Sequence, residues 1–278
     1  MKRLTVYFFM FFFPSTILAQ KSNTYEVYAI EFARVPGYVH EKDFAINPVV
    51  KDSAKLIFMT WLLKGNNGKN ILVDAGFKRT GKYFAPWIES FVRPDSSLMK
   101  MGIKPEDITD VIITHPHWDH IGGVDLFPKA TIWMQKEDYR YFLTDMWQKE
   151  GNRIGIDSTD VVMMAELNVK GRVRLVNGDE VEIIPGIKAY IGSKHTFESQ
   201  YVVVNTATDK VLIASDNSWT YYNLEHMISI PLTFDPQAYV KNLQRMKRLV
   251  NPDLIIPGHD GKIFEKFTKM KEGVVRIR

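Results

Sequence analysis

Six consecutive residues in the middle of the chain, His115-Pro116-His117-Trp118-Asp119-His120, hold four potential metal ligands and run straight into Ile121-Gly122-Gly123. Just upstream, Asp110-Val111-Ile112-Ile113 is a short, largely β-branched apolar run, so the ligand-bearing segment begins where a buried strand ends. A fold that hosts it must bring strand ends to a common edge, because loops rooted on rigid strands are where such side chains can be aimed. Neutral imidazole and carboxylate are good ligands for zinc and related divalent ions, with bonds to nitrogen of roughly 2.0–2.1 Å. His115 and His117, one residue apart, can converge on one ion from a turn. Asp119 and His120 then point elsewhere and call for a second ion.

A second ion needs ligands from further along the chain. Of seven histidines, those outside the motif are His40, His195, His226 and His259. His195 lies in Gly192-Ser193-Lys194-His195-Thr196, after the apolar runs at 181–184 and 187–191. His259 follows Leu254-Ile255-Ile256-Pro257-Gly258, again a short apolar strand ending in a turn. Between them Val211-Leu212-Ile213-Ala214-Ser215 leads to the carboxylate of Asp216. Three separate strand ends thus each deliver one ligand, whereas His40 and His226 have no such context and read as ordinary polar residues.

With this ordered set the chain resembles the metallo-β-lactamase superfamily of hydrolases, over roughly residue 54 to the C-terminus. The resemblance implies an α/β fold, the four-layer αββα sandwich with metals at one sheet edge. It also implies the ligand sets: His115, His117 and His195 for a first metal, Asp119, His120 and His259 for a second, and Asp216 bridging them. The cofactor it implies is two Zn2+ or similar divalent ions. A water between them, its pKa lowered to about 7, would serve as the bridging hydroxide nucleophile. Asp119, a ligand with a spare carboxylate oxygen, would be the catalytic proton carrier. The residue pattern agrees: strand-like runs alternate with helical ones such as 236–250, where Ala238, Val240, Leu243, Met246 and Leu249 recur at helical spacing.

The chain contains no cysteine. The β-lactamase subclasses that place a cysteine on the second metal are therefore excluded, and an aspartate at Asp216 resembles the binuclear hydrolases instead. Among these the N-acyl-homoserine lactonases fit best, which implies opening of a lactone ring, the chemistry of quorum quenching. Other hydrolases of the same fold stand as the alternative: a β-lactamase, a thioesterase of the glyoxalase II type, or a phosphodiesterase. The last would need cations converging on the metals, for which Lys78, Arg79, Arg93 and Lys194 are the obvious candidates.

Substrate contacts are expected from two aromatic-rich stretches, 77–101 and 136–167, with Phe84, Trp87 and Tyr139 overhanging the metals and suiting a small molecule with an apolar acyl tail. Many lactonases of this kind carry a tyrosine three residues after the bridging aspartate. Here that position is Trp219, which has an indole N–H but no hydroxyl, leaving Tyr221 or Tyr222 to supply a phenol. The segment around His195 also lacks the Pro-Gly-His-Thr-Pro-Gly phrasing common in the superfamily.

Residues 1–19 read as a secretory signal peptide. Lys2 and Arg3 precede an apolar run from Leu4 to Phe13, and Ala19 offers a small residue for cleavage before Gln20. Residues 20–278 then form a single hydrolase domain, periplasmic or secreted, with no stable membrane span. Loss of Lys2 and Arg3 takes the formal charge from +4 to +2, which gives no electrostatic reason for a nucleic-acid partner.

Overall fold

A computed structural model describes residues 22–79 and 88–278. The expected signal peptide and the side chains of Phe84 and Trp87 lie outside the described residues. The strands are β1 (Tyr25–Arg34), β2 (Val39–His40), β3 (Ser53–Ala54), β4 (Ile57–Gly65), β5 (Asn70–Val73), β6 (Ile108–Ile112), β7 (Thr131–Gln135), β8 (Val173–Val176), β9 (Val181–Ile184), β10 (Ile187–Ile191), β11 (Gln200–Asn205), β12 (Lys210–Ser215), β13 (Ile255–Pro257), β14 (Thr268–Lys271) and β15 (Val274–Arg276). One sheet runs β14-β15-β1-β4-β5-β6-β7-β8 and a second β13-β12-β11-β10-β9, while β2 and β3 form a small separate pair. The first sheet is antiparallel up to β5 and parallel from β5 to β8.

The central strands are apolar on both faces because both faces are covered. Along β1 and β4, Val27, Ala29, Met59, Trp61 and Leu63 join Val202, Val204, Leu212 and Ile213 of the second sheet in one inter-sheet core. The alternate residues Tyr28, Ile30 and Leu62 turn the other way, with Leu72, Val111 and Ile132, onto a helical layer contributing Phe142, Met164 and Leu167. That layer contains the helices Lys136–Leu143 and Ser158–Val169. Tyr139, expected over the metals, lies buried in this layer against the first sheet.

On the second sheet the helix Pro236–Leu249 packs Tyr239, Leu243 and Met246, and its Asn242 side chain donates to Ile191 O. Its start is written locally: Pro236 opens it and the Asp235 carboxylate accepts from the backbone N–H groups of Gln237 and Ala238. The layers are helix, sheet, sheet, helix, the four-layer α/β sandwich that the sequence resemblance implies. The chain leaves β5 at Asp74, β6 just before His115, β10 just before His195, β12 just before Asp216 and β13 just before His259, so the ligand candidates share one edge. Among the described residues no helix is long and apolar enough to cross a membrane.

Candidate metal centre

Seven side chains from four loops meet in two groups, His115, His117, His195 and Asp216 in one and Asp119, His120 and His259 in the other, with ligand atoms in each within 4.8 Å of one another. Asp216 lies between the groups. Its Oδ2 is 3.1 Å from His195 Nε2 and 3.7 Å from His115 Nε2. Its Oδ1 is 3.1 Å from His259 Nε2 and 3.3 Å from His120 Nε2. Asp119 Oδ2 sits 3.2 Å from His120 Nε2 and 3.5 Å from His259 Nε2.

The outer ring nitrogens explain why the inner ones converge. His120 Nδ1 lies 2.8 Å from Asp74 Oδ2, and a carboxylate only accepts, so Nδ1 carries a proton and Nε2 is the nitrogen left to face the ligand group. His195 Nδ1 donates to Leu232 O at 2.7 Å and His259 Nδ1 to Ile57 O at 2.9 Å, with the same consequence. His115 Nδ1 lies 2.9 Å from the Thr114 hydroxyl, which itself donates to Asp74. Fixing the tautomer from the far side of the ring is what metal-ligating histidines require.

The donor set fits divalent ions. His115 Nε2 and His195 Nε2 face each other at 3.2 Å. His120 Nε2 and Asp216 Oδ1 are buried without a hydrogen-bond partner. Burial drives the His120 pKa down, but Asp119, Asp216 and Asp74 outweigh it and hold the ring well above its ordinary value, the signature of a centre rich in negative charge. Burial would likewise push Asp216 up, yet His259, His120 and His115 keep it ionised, well below the usual carboxylate range. His117 has no comparable carboxylate excess, and burial followed by the neighbouring His195 ring lowers it to about 3. Buried lone pairs beside buried carboxylates are stable only with a cation to share.

Asp74 is the residue that sequence reading missed. Fully buried at the end of β5, its carboxylate accepts from Thr114 N, Thr114 Oγ1 and Ser215 Oγ as well as facing His120. It therefore ties the end of β5 to two ligand loops, that of His115 to His120 and that of Asp216, and it adopts a left-handed backbone (φ 58) there. The loops also dovetail: Ala75 N donates to His120 O, and a Cβ on Gly123 would lie 2.3 Å from Ala75 O, so only glycine fits there. Asp74-Ala75-Gly76 is visible in the sequence as a strand end, but the three residues that its carboxylate meets lie 40 to 141 residues away.

A cavity of about 300 Å³ opens onto the ligands His117, Asp119, Asp216 and His259. Its walls are Val35, Leu56, Phe58, Trp118, Trp219 and Leu232, with Gly155 on the rim. Phe58 and Trp118 stand 5.7 Å apart between ring centroids, and Phe58 meets the His259 ring edge-on at 5.6 Å. Gly155 adopts φ +73 and passes so close to His117 that a Cβ would sit 2.8 Å from its ring.

Of the residues expected in the aromatic wall, Tyr139 lies elsewhere, Trp219 is present, and Phe84 and Trp87 fall outside the described residues. Trp118, inside the motif itself, and Phe58 of β4 form the rest of the wall. Trp219 does line the cavity, with its Nε1 donating to Asp216 Oδ2 at 2.6 Å. Tyr221 and Tyr222 do not. Tyr221 is packed in the inter-sheet core, and the Tyr222 hydroxyl bonds the backbone of Val49 and Val50. The chain turns into the helix Tyr221–His226 directly after Thr220, which carries both phenols away from the cavity. His226 packs against Tyr222 with the rings tilted by 48°, and neither it nor the exposed His40 joins the ligand groups.

Comparison with known proteins agrees with this geometry. The family model described as the metallo-beta-lactamase superfamily matches residues 59–259. The N-acyl homoserine lactonase AiiA of Bacillus thuringiensis subsp. kurstaki is 26% identical over 236 residues, covering 78% of this chain and 87% of that one. A solved N-acyl homoserine lactone hydrolase with the product N-hexanoyl-L-homoserine at its catalytic metal center superposes with a TM-score of 0.67 at 22% identity, over 89% of this chain and 98% of that one. AidC, a dizinc quorum-quenching lactonase, gives 0.64 at 17% identity, over 93% and 98%. At such identities the structural likenesses establish the fold alone.

Proposed function

The chain belongs to the metallo-beta-lactamase superfamily, and from that premise we propose that it is a binuclear-metal hydrolase that opens the lactone ring of N-acyl-homoserine lactones. The observation that carries the reading is Asp216, whose two carboxylate oxygens face the two ligand groups beneath a cavity walled by Phe58, Trp118 and Trp219. His115, His117 and His195 would hold one ion, Asp119, His120 and His259 the other, and Asp216 both. Two zinc ions, when bound, supply Lewis acidity at the ester carbonyl and lower the pKa of water into the neutral range.

The chain's own residues do the rest. The apolar wall excludes bulk water and leaves room for an uncharged ester beside the ligands, where electrostatic contacts gain strength. Asp119 keeps Oδ2 toward His120 and His259, so its Oδ1 can accept the proton of the attacking water. The same proton then passes to the ring oxygen as the carbonyl carbon–oxygen bond breaks, giving the hydroxy acid. Trp219 spends its only donor on Asp216 and contributes shape to the cavity rather than a hydrogen bond to substrate.

The phosphodiester alternative lacks support, because among the described residues no Lys or Arg lines the cavity. Lys78 pairs with Asp125, Arg93 with Asp95, and the Lys194 ammonium donates to Phe197 O. Export from the cytoplasm is part of the proposal on the composition of residues 1–19 alone. The test is hydrolysis by the zinc-loaded protein of short- and long-chain acyl-homoserine lactones, a cephalosporin, a glutathione thioester and a bis-aryl phosphodiester. Rapid turnover confined to the lactones is expected. Faster turnover of any other member would reassign the substrate.

A further inference from the structure

The loop carrying His195 is held by a side chain from another layer of the sandwich. The segment Ser193-Lys194-His195-Thr196-Phe197-Glu198-Ser199 contains neither proline nor glycine to stiffen it. Its base is clamped by Asn217, whose Oδ1 accepts from Ser193 N and Ser199 Oγ and whose Nδ2 donates to Gln200 O and Ala214 O. That clamp does not reach the tip.

The tip is met by Asp138, in the first turn of the helix Lys136–Leu143 and only 1% exposed. Asp138 Oδ2 accepts from Thr196 Oγ1 at 2.7 Å and Oδ1 from Glu198 N at 3.1 Å. Among the described residues no salt bridge to a basic side chain offsets its burial, so the carboxylate is an expensive residue to keep at this place. Both donors belong to the His195 loop. On the opposite side of that loop, Phe234 N and Thr233 Oγ1 donate to Lys194 O, and Leu232 O takes the His195 Nδ1 proton.

We propose that Asp138 is a positioning residue for the first metal: through the Thr196 hydroxyl and the Glu198 amide it fixes the loop so that His195 Nε2 is held toward His115 and Asp216. The inference rests on His195 being a metal ligand, as in the proposed function. It assigns to this chain a specific support, reaching from the helical layer of the first sheet to a loop of the second. Partners beyond the ligands typically change metal affinity 10–100-fold when removed. A role confined to helix stability, through a carboxylate in the first turn, would not depend on the Thr196 hydroxyl.

The experiment is a Zn2+ titration of the purified protein against a chromophoric chelator, with Thr196→Val, Thr196→Ser and Asp138→Ala compared with the unaltered chain. Thr196→Val keeps the side-chain shape and removes only the donor. The expected result is that Thr196→Val and Asp138→Ala weaken one of two zinc constants about 10–100-fold and leave the other within about threefold, whereas Thr196→Ser binds like the unaltered protein. With one equivalent of Co2+ the visible absorption band should shift in Thr196→Val and return in Thr196→Ser. If Asp138→Ala does not fold, the valine and serine pair decides. Unchanged zinc constants in Thr196→Val would overturn the positioning role alone. An unaltered protein that takes up no zinc would overturn the metal assignment and this inference with it.

Discussion

Each ligand in the centre does one job at its inner atom and is steered at its outer one. His120 is the clearest case: Asp74 holds Nδ1 while Nε2 faces Asp119 and Asp216. Asp119 differs because a carboxylate has a second oxygen with which to move a proton. Asp119→Asn should therefore lower the lactone turnover number by about 10²–10⁴, and His117→Ala should abolish turnover by removing a ligand. Steady-state kinetics on purified variants of known metal content check both, and near-normal turnover in either contradicts the assignment. The seven ligand candidates were legible because histidine and aspartate at the ends of apolar runs are rare and locally marked. Asp74, Phe58, Gly155 and Asp138 were not, because their roles exist only through partners far along the chain. Trp118 was in plain view between two ligands, and its packing on Phe58 could not be read from one strand alone.

At the scale of elements, strong local signals carried through. The helix expected over 236–250 forms over Pro236–Leu249, because proline, the Asp235 cap and the apolar spacing agree. The expectation that Tyr221 or Tyr222 folds back toward the metals failed because the Thr220–Asn223 capping interaction starts a helix there. The helix Ser158–Val169 offers a pH test. Asp157 caps it by accepting from Thr159 N. Asp160 lies in its first turn, and burial followed by repulsion from Asp157 pushes its pKa from 3.8 up to about 7. A carboxyl whose folded pKa is raised favours folding fully only below about pH 4 and loses that contribution as pH rises to about 7. Asp160→Asn should thus be more stable than the parent at pH 8, by on the order of 1–3 kcal/mol, with the difference shrinking toward pH 4. Urea midpoints at the two pH values measure this, and a variant equally destabilised at both would refute it.

For the whole molecule, the sandwich exists to bring loop ends from both sheets to one edge. First-sheet loops supply His115, His117, Asp119 and His120, second-sheet loops His195, Asp216 and His259, and Asp74 and Asp138 cross between the two sets. A layered α/β class was legible in strand-like runs alternating with helical ones and the four-layer form in the family resemblance, whereas the strand order and these crossings are long-range facts that no local pattern encodes. A chain without cysteine has no disulfide to hold such an edge, so bound metal and polar crossings must do it. The central claim is that both ligand groups act together on one ester. It is tested most directly by hydrolysis of an N-acyl-homoserine lactone while metal-free protein is titrated with zinc. The account predicts activity that climbs to a break at two equivalents per chain. Two tightly bound equivalents with no lactone opened, or full activity with the second group removed by His259→Ala, would contradict it.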